Sequence, residues 1–178
     1  MELNEKTLER EDKFKGRVLT VHVDKVGLVN GKTSTREVVD HPGGVTVAAL
    51  TDRNELLFVR QYRYPYHKVI MELPAGKLEV GEEHFEAVKR ELKEETGCEG
   101  KDWEFFGDLY PSPGYCGEII RLWFCRVADR GEMNLDEDEF LEVEKIPLRE
   151  AVDMVMRGEI EDSKTQALVL RVARKLGV

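Results

Sequence analysis

The sequence predicts a protein of the α+β class, in which mixed sheets are flanked by helices. Short apolar runs separated by turn residues fill the first half of the chain, as is typical of strands. Helical spacing of apolar residues appears only later, over residues 83–96 and again after residue 148. Strands therefore dominate the N-terminal half, and helices are inserted between and after the later strands.

The first forty residues predict a β-hairpin. Apolar and polar side chains alternate over residues 18–29, as in a strand with one buried face. Asn30 and Gly31 form a dipeptide that favours tight hairpin turns. A second strand is expected to follow over residues 35–39.

A Pro-Gly-Gly sequence at residues 42–44 separates this hairpin from the rest of the chain. With 178 residues, the chain is long enough for one main domain and a small appended subdomain. We therefore expect an N-terminal β subdomain over residues 1–41 and a main domain over residues 42–178.

The main domain is predicted to combine further strands with three helices. Its strands are short apolar runs bounded by turn residues, at 45–50, 56–59, 69–73, 103–109, 119–127 and 140–146. Its helices are expected at 83–96, 148–157 and 164–176. Gly97 and Gly158 follow two of these helices, where glycine commonly ends a helix. Ser163 is expected to cap the start of the third.

Composition and charge exclude several classes of protein. Hydrophobic residues make up 41% of the chain and charged residues 35%, as in a soluble globular protein. The net charge of −9 argues against nucleic acid or an anionic membrane as partner, because both are negatively charged. The N-terminus lacks the apolar core of a signal peptide, so we expect a cytoplasmic location. The three cysteines have neither the even number of a disulfide framework nor the spacing of a zinc site.

The segment from Gly76 to Cys98 carries the most informative pattern. Glycine at 76, glutamate at 82 and the run Arg-Glu-Leu-Lys-Glu-Glu-Thr-Gly over residues 90–97 resemble the Nudix box, GX₅EX₇REUXEEXGU, where U is a bulky aliphatic residue. Only Cys98 departs from this pattern, and cysteine packs as a small hydrophobic residue. The number of matches in one register makes the resemblance specific.

The spacing of the box glutamates suits a metal site on physical grounds alone. Glu91 and Glu95 are one helical turn apart, so their carboxylates lie on one face. Clustered carboxylates repel unless a cation lies among them, and oxygen ligands suit Mg²⁺ or Mn²⁺. Arg90 and Glu94 are also one turn apart and can pair. A solvated Glu/Lys-rich helix is the alternative, but the loop glycine and the complete box favour the metal site.

The Nudix resemblance implies an α/β/α sandwich and a Mg²⁺-dependent hydrolase of nucleoside diphosphates linked to another group, with Mn²⁺ as a substitute cation. It implies that the metal is held by Glu91, Glu95 and the carbonyl of Ala75, with Glu94 and Glu139 assisting. Because the chain has a net charge of −9, it needs such a cation to bind a negatively charged pyrophosphate.

Two segments outside the box resemble those of the ADP-ribose pyrophosphatase subfamily. Pro113, within the sequence Ser-Pro-Gly at 112–114, and Glu118 match its substrate loop, although an ordinary Pro-Gly turn is the alternative. Arg63 matches the arginine that reaches the substrate phosphates, for which a planar guanidinium is suited. Arg60 is an alternative for this role.

The N-terminal hairpin also resembles that subfamily. Arg36 and Glu37 look like its ligand-binding residues, although an ion pair on the strand face explains them equally well. Phe14 and Arg17 remain candidates for stacking on the purine. In the subfamily this sheet exchanges between the subunits of a homodimer.

The acidic run at residues 136–139 resembles the loop that brings the catalytic glutamate over the metal. Its alignment makes Glu137 the catalytic base and Glu139 a metal ligand, with the two roles open to exchange and Glu94 as the next candidate base. A solvated acidic turn is the alternative.

These resemblances imply hydrolysis of ADP-ribose to AMP and ribose 5-phosphate. A broader nucleoside-diphosphate-sugar pyrophosphatase is the second expectation. A nucleotide sensor without activity is disfavoured, because such sensors usually lack box carboxylates and all are present here.

Overall fold

The computed structural model describes residues 3–131, 133–135 and 140–178. Its elements, in chain order, are β1 (Lys6–Lys15), β2 (Thr20–Gly27), β3 (Thr33–Asp40), β4 (Gly44–Leu50), β5 (Glu55–Arg63), β6 (Lys68–Glu72), β7 (Ala75–Lys77), α1 (His84–Thr96), β8 (Cys98–Leu109), β9 (Ile120–Arg130), β10 (Leu141–Pro147), α2 (Leu148–Met156) and α3 (Ser163–Leu176). A short 3₁₀ turn at Tyr64–Tyr66 lies between β5 and β6. Within the described ranges, no helix has both the length and the apolar character needed to cross a membrane.

The chain divides into two compact units. The N-terminal unit contains Met1–Gly43 together with Tyr110–Ile119, and the second unit contains Gly44–Leu109 and Ile120–Val178. The N-terminal unit therefore includes a segment that is remote in sequence.

The N-terminal unit is built on a three-stranded antiparallel sheet in the order β1-β2-β3. The predicted hairpin is present as β2 and β3, and Gly31 takes a positive φ of 79° in the turn between them. β1 was not predicted because all its residues are exposed and most are charged, so it lacks apolar alternation. Arg10 and Glu9 of β1 form ion pairs with Asp24 and Lys25 of β2, which tie the two strands together.

The segment Tyr110–Ile119 lies along β3 within the N-terminal unit. The N–H of Val39 donates to the carbonyl of Tyr115 at 2.8 Å, and the N–H of Gly117 donates to the carbonyl of Val39 at 2.9 Å. These strand-like hydrogen bonds attach the segment to the edge of the small sheet. As a result, Glu118 lies near the end of β3.

The second unit is built on a seven-stranded mixed sheet. Its main path is β10-β5-β4-β9-β8, with β6 paired to β5 and β7 paired to β4. β4 and β9 run parallel, and the other pairs are antiparallel. The sheet therefore combines both pairing modes, as the α+β class predicted.

Both faces of this sheet are buried at its central strand, β4. Val47 of β4 packs with Val88 and Leu92 of α1, whereas the next residue, Ala48, belongs to the core formed with α2 and α3. Successive strand residues point to opposite faces, so β4 is buried throughout. Helices thus cover both faces, and the predicted α/β/α sandwich is present.

Two of the three helices end as the sequence indicated, and one cap differs. Gly97 follows α1 with a φ of 68°, and α2 ends at Met156, just before Gly158, which has a φ of 75°. The prediction that Ser163 caps α3 was wrong. Asp162 is the N-cap, because its carboxylate accepts the N–H of Thr165 at 2.9 Å, and Ser163 is the first helical residue.

Candidate active site

The two box glutamates at 91 and 95 lie on the buried face of α1, against β7. Glu91 is 9% exposed and Glu95 is 3% exposed. The N–H of Ala75 donates to Oε2 of Glu95 at 3.0 Å. A Cβ added at Gly76 would lie 1.8 Å from Oε1 of Glu91, which is far inside van der Waals contact. The box glycine is therefore required so that the Glu91 carboxylate can lie against the backbone of β7.

Arg90 joins the glutamates of the box into one network. Its Nε and Nη2 donate to the two oxygens of Glu82 at 2.9 and 3.0 Å. Its Nη1 donates to Glu91 at 2.8 Å and to Glu94 at 2.9 Å. The pKa of Arg90 is raised, first by the Glu82 hydrogen bonds and also by Glu91 and Glu94. Arg90 therefore remains charged and sets the positions of three carboxylates.

Glu82 is also held by the loop that precedes α1. Its Oε2 accepts the N–H of Glu79 at 3.0 Å, and Gly81 takes a φ of 80°, which a glycine adopts without strain. The hydrogen bonds from Arg90 lower the pKa of Glu82, and the Glu79 N–H acts in the same direction. Glu82 is thus a charged anchor between the loop and the helix.

The donors at this place fit a divalent cation held by oxygen. Glu91 and Glu95 supply two buried carboxylates one turn apart, and the backbone of Ala75 lies beside them. Buried carboxylates are costly without compensating positive charge. Over residues 3–131, 133–135 and 140–178, no group of three or more His, Cys, Asp or Glu side chains is arranged to hold a metal ion. A cation bound to these two carboxylates would take its further oxygen ligands from backbone, water, substrate or other side chains.

Arg63 forms a two-point ion pair with Glu72, which was not among the site residues predicted from the sequence. Nε of Arg63 donates to Oε1 of Glu72 at 2.5 Å, and Nη2 donates to Oε2 at 2.7 Å. Lys164 of α3 donates to the same Oε2. Burial alone would raise the pKa of Glu72, but the hydrogen bonds and charges of Arg63 and Lys164 outweigh it, and the pKa is lowered.

Two signals in the sequence could have indicated this cluster. Glu72 interrupts an otherwise apolar run, Val-Ile-Met-Glu-Leu, at residues 69–73. Lys164 stands in the first turn of α3, where the helix dipole disfavours a cation. A charge in an apolar strand and a cation at a helix start are both unusual, and each suggests a partner elsewhere in the fold.

The other residues predicted to bind substrate belong to the N-terminal unit. Arg36 pairs with Glu5 at 2.5 and 2.9 Å, and Glu37 is exposed on β3. Glu118 lies 3.6 Å from Nδ1 of His41. Within this unit Arg36 is held by a local ion pair, and Glu118 lies beside a histidine at the end of β3.

The predicted base Glu137 and the predicted ligand Glu139 lie outside the described residues. The chain on either side of them is described. The N–H of Asn134 donates to the carbonyl of Glu94 at 3.0 Å, near the end of α1. After the acidic run, Leu141 pairs with Gln61 of β5, two residues before Arg63.

Comparison with known proteins identifies the family. The family model of the NUDIX domain matches residues 40–168. The chain belongs to the Nudix family. Nudix hydrolases generally need a divalent metal cation, which agrees with the oxygen donors on α1.

Relatives of known name match nearly the whole of this Nudix chain. It is 45% identical to the methanol dehydrogenase activator of Bacillus methanolicus, over 90% of this chain and 88% of the relative. It is 42% identical to the ADP-ribose pyrophosphatase of Bacillus subtilis (strain 168), over 92% of this chain and 89% of the relative. A crystal structure of an ADP compounds hydrolase superposes with a TM-score of 0.85 at 22% identity, covering 99% of this chain and 97% of that one. At that identity, the structural likeness supports the fold.

Proposed function

We propose that this Nudix hydrolase cleaves the pyrophosphate of ADP-ribose into AMP and ribose 5-phosphate, with Mg²⁺ as its cation and Mn²⁺ as a substitute. The observation that carries the proposal is the buried pair Glu91 and Glu95 held against β7. The substrate class follows from the similarity to the ADP-ribose pyrophosphatase of Bacillus subtilis over 92% of this chain. We also propose that the protein acts in the cytoplasm.

The metal-binding groups in this proposal are Glu91, Glu95 and the carbonyl of Ala75, with Glu94 and Glu139 assisting. When bound, the cation supplies positive charge that stabilises the phosphoryl oxygens and polarises the phosphorus–oxygen bonds. Arg90 keeps Glu91 and Glu94 in place through hydrogen bonds of 2.8 and 2.9 Å. The carboxylates are therefore arranged before substrate arrives, which lowers the cost of reorganisation.

Arg63 is proposed to bind a phosphate of the substrate. Two of its donor groups are used by Glu72, but Nη1 makes no hydrogen bond within the described part of the chain. An arginine held on one edge presents its remaining donors in a fixed direction, which suits recognition of a phosphate.

Glu137 is proposed as the base that activates water. The water oxygen bonds to one phosphorus, its proton passes to the Glu137 carboxylate, and the bridging oxygen leaves with the other phosphate. The described flanks of the acidic run support this placement, because one is bonded to the carbonyl of Glu94 and the other pairs with Gln61. Glu94 is the second candidate for the base, because its carboxylate is already hydrogen-bonded to Arg90. Glu139 is proposed as a metal ligand.

We further propose a homodimer whose N-terminal subdomain, residues 1–41, completes the site of the partner subunit. Arg36 and Glu37 would then bind substrate from β3, together with Glu118. In support, every residue of β1 is exposed, and Phe14 on this strand is 57% exposed. The two large apolar side chains of this edge strand, Leu8 and Phe14, are both exposed, and a second subunit could cover them.

A substrate panel tests the proposed function. Wild-type protein is incubated with Mg²⁺ and, separately, ADP-ribose, ADP-sugars, NADH and diadenosine polyphosphates, and products are separated by ion-exchange chromatography. We expect the highest kcat/KM for ADP-ribose, with AMP and ribose 5-phosphate formed in equal amounts. A higher kcat/KM for nucleoside-diphosphate sugars would replace the proposed substrate by that class, and inactivity on the whole panel would refute a hydrolase of this kind.

A further inference from the structure

Three charged residues from separate elements meet at Arg63, the residue proposed to bind a phosphate. Arg63 ends β5, Glu72 ends β6 and Lys164 lies in the first turn of α3. Glu72 accepts hydrogen bonds from both cations, and its Oε2 is shared between Nη2 of Arg63 and Nζ of Lys164. We name this group the Arg63–Glu72–Lys164 triad. The two cations are not interchangeable, because they differ in exposure.

Exposure separates the roles of the two cations. The side chain of Arg63 is 38% exposed, whereas those of Lys164 and Glu72 are 10% and 3% exposed. Arg63 can therefore meet a ligand from solvent, but Lys164 cannot reach one. Lys164 also contacts Asp162 at 3.0 Å, so its ammonium is held on two sides by carboxylates. Its positive charge therefore neutralises carboxylates of the protein itself.

The placement of Lys164 carries a cost that only its partners can offset. A buried ammonium loses hydration, and the first turn of a helix repels positive charge. Glu72 has the matching difficulty, since a nearly inaccessible carboxylate requires hydrogen bonds on both oxygens. With Lys164 absent, Oε2 of Glu72 would retain only the guanidinium of Arg63, which is 38% exposed, as a charged partner. Glu72 would then no longer be anchored by Lys164, and it would hold the Arg63 side chain less firmly.

The start of α3 holds the backbone next to Glu72 as well. The N–H of Leu73 donates to Oγ1 of Thr165 at 2.8 Å. Thr46 of β4 donates through Oγ1 to the carbonyl of Pro74 at 3.0 Å. The segment that leads from Glu72 to Ala75 is therefore attached to α3 and β4 and cannot shift independently of them.

We infer that Lys164 is a positioning residue for substrate binding: it holds the Glu72 carboxylate, and Glu72 in turn fixes Arg63 with Nη1 directed to a phosphate of the substrate. This inference rests on the proposed function, because it assigns phosphate binding to Arg63. Lys164 itself contacts no substrate. It affects substrate binding indirectly, through its hydrogen bond to Glu72 and the hydrogen bonds between Glu72 and Arg63.

A double-mutant cycle on KM tests the inference. Lys164→Met removes the ammonium and keeps an unbranched side chain, and Arg63→Met removes the guanidinium. We expect Lys164→Met to raise KM for ADP-ribose about 10-fold while kcat changes by less than about 3-fold, since ground-state binding is affected. In the Arg63→Met background, where KM is already raised, Lys164→Met should change KM by less than about 2-fold.

Lys175→Met is the matched control, because Lys175 lies on the same helix and pairs with Glu104 at the surface. It should leave KM unchanged. Thermal melts of all variants separate loss of stability from loss of binding, and Lys164→Gln replaces Lys164→Met in both backgrounds if the latter does not fold. An equal KM effect of the Lys164 variant with and without Arg63, an unchanged KM in the single variant, or a normal KM in Arg63→Met would each overturn the inference. A wild-type protein that does not hydrolyse ADP-ribose would instead refute the proposed function.

Discussion

The carboxylate of Glu91 occupies the space that a side chain at residue 76 would fill. A Cβ at Gly76 would lie 1.8 Å from Oε1 and 2.3 Å from Oε2 of Glu91. The glycine in the loop and the first glutamate of the REUXEE motif are therefore one structural feature, although they are far apart in sequence.

Gly76→Ala should displace Glu91 and abolish most activity. Because Glu91 is also bound by Arg90, the clash would disturb a network rather than one side chain. We expect kcat/KM to fall about 100-fold and the free energy of unfolding to fall by about 1–3 kcal/mol. Gly27→Ala is the control, since a Cβ there would meet its nearest atom at 3.8 Å. Steady-state kinetics and urea unfolding measure both effects, and near-normal kinetics in Gly76→Ala would contradict the contact.

Removal of the cation or of its carboxylate ligands should stop the reaction. EDTA should abolish wild-type activity, and added Mg²⁺ should restore it. Glu91→Gln and Glu95→Gln should each lower kcat by about 100-fold or more, because each removes a charged ligand. Isothermal titration with Mg²⁺ should show weaker binding in both variants than in Glu86→Gln, whose residue is exposed on α1. Full activity in EDTA would refute a metal-dependent mechanism.

The charge of Glu72 should stabilise the fold only where the carboxylate is ionised. Burial opposes ionisation, but Arg63 and Lys164 lower the pKa of Glu72 below its usual range. A group with a lowered folded-state pKa stabilises the protein above its unfolded pKa, and this stabilisation is lost as the pH falls through the folded pKa. Glu72→Gln should therefore have a lower Tm than wild type at pH 7, and the difference should shrink below about pH 4. A constant difference across this range would show that the charge is not responsible.

The proposed exchange of the N-terminal sheet predicts that two inactive variants can complement each other. Arg36→Ala and Glu91→Gln proteins are mixed, partly unfolded together and refolded. If Arg36 serves the site of the partner subunit, half of the dimers will be mixed and each will carry one intact site, which gives about a quarter of wild-type activity. The separate variants refolded alone are the controls. No recovery, or an active wild-type monomer in sedimentation, would refute the exchange.

Local patterns were sufficient to predict the features that depend on neighbouring residues. The helix carrying Glu91 and Glu95 was evident from its apolar spacing and from Gly97 at its end. The Nudix family was recognisable because the box concentrates its fixed residues within one loop and one helix. The pairing of Arg90 with Glu94 followed from their helical spacing and is present at 2.9 Å.

Features that depend on distant partners could not be predicted in the same way. β1 lacks an apolar face and is held by ion pairs to β2, so no periodicity indicated it. The ion pair between Glu72 and Lys164 joins residues 92 positions apart. Their partnership arises from how α3 packs on the sheet, and a single sequence contains no signal for that packing beyond the two misplaced charges.

The glutamates proposed to bind metal and the glutamate proposed as base lie on different parts of the chain. Glu91 and Glu95 lie on a helix and are fixed before substrate arrives, whereas Glu137 is proposed to act from the acidic run between β9 and β10. A base should affect turnover more than ground-state binding, so Glu137→Gln should lower kcat about 100-fold with KM changed only a few-fold. Glu139→Gln should instead raise the Mg²⁺ concentration needed for half-maximal activity. If Glu139→Gln loses kcat while Glu137→Gln keeps it, the two roles are exchanged; if both keep it, Glu94 becomes the base to test.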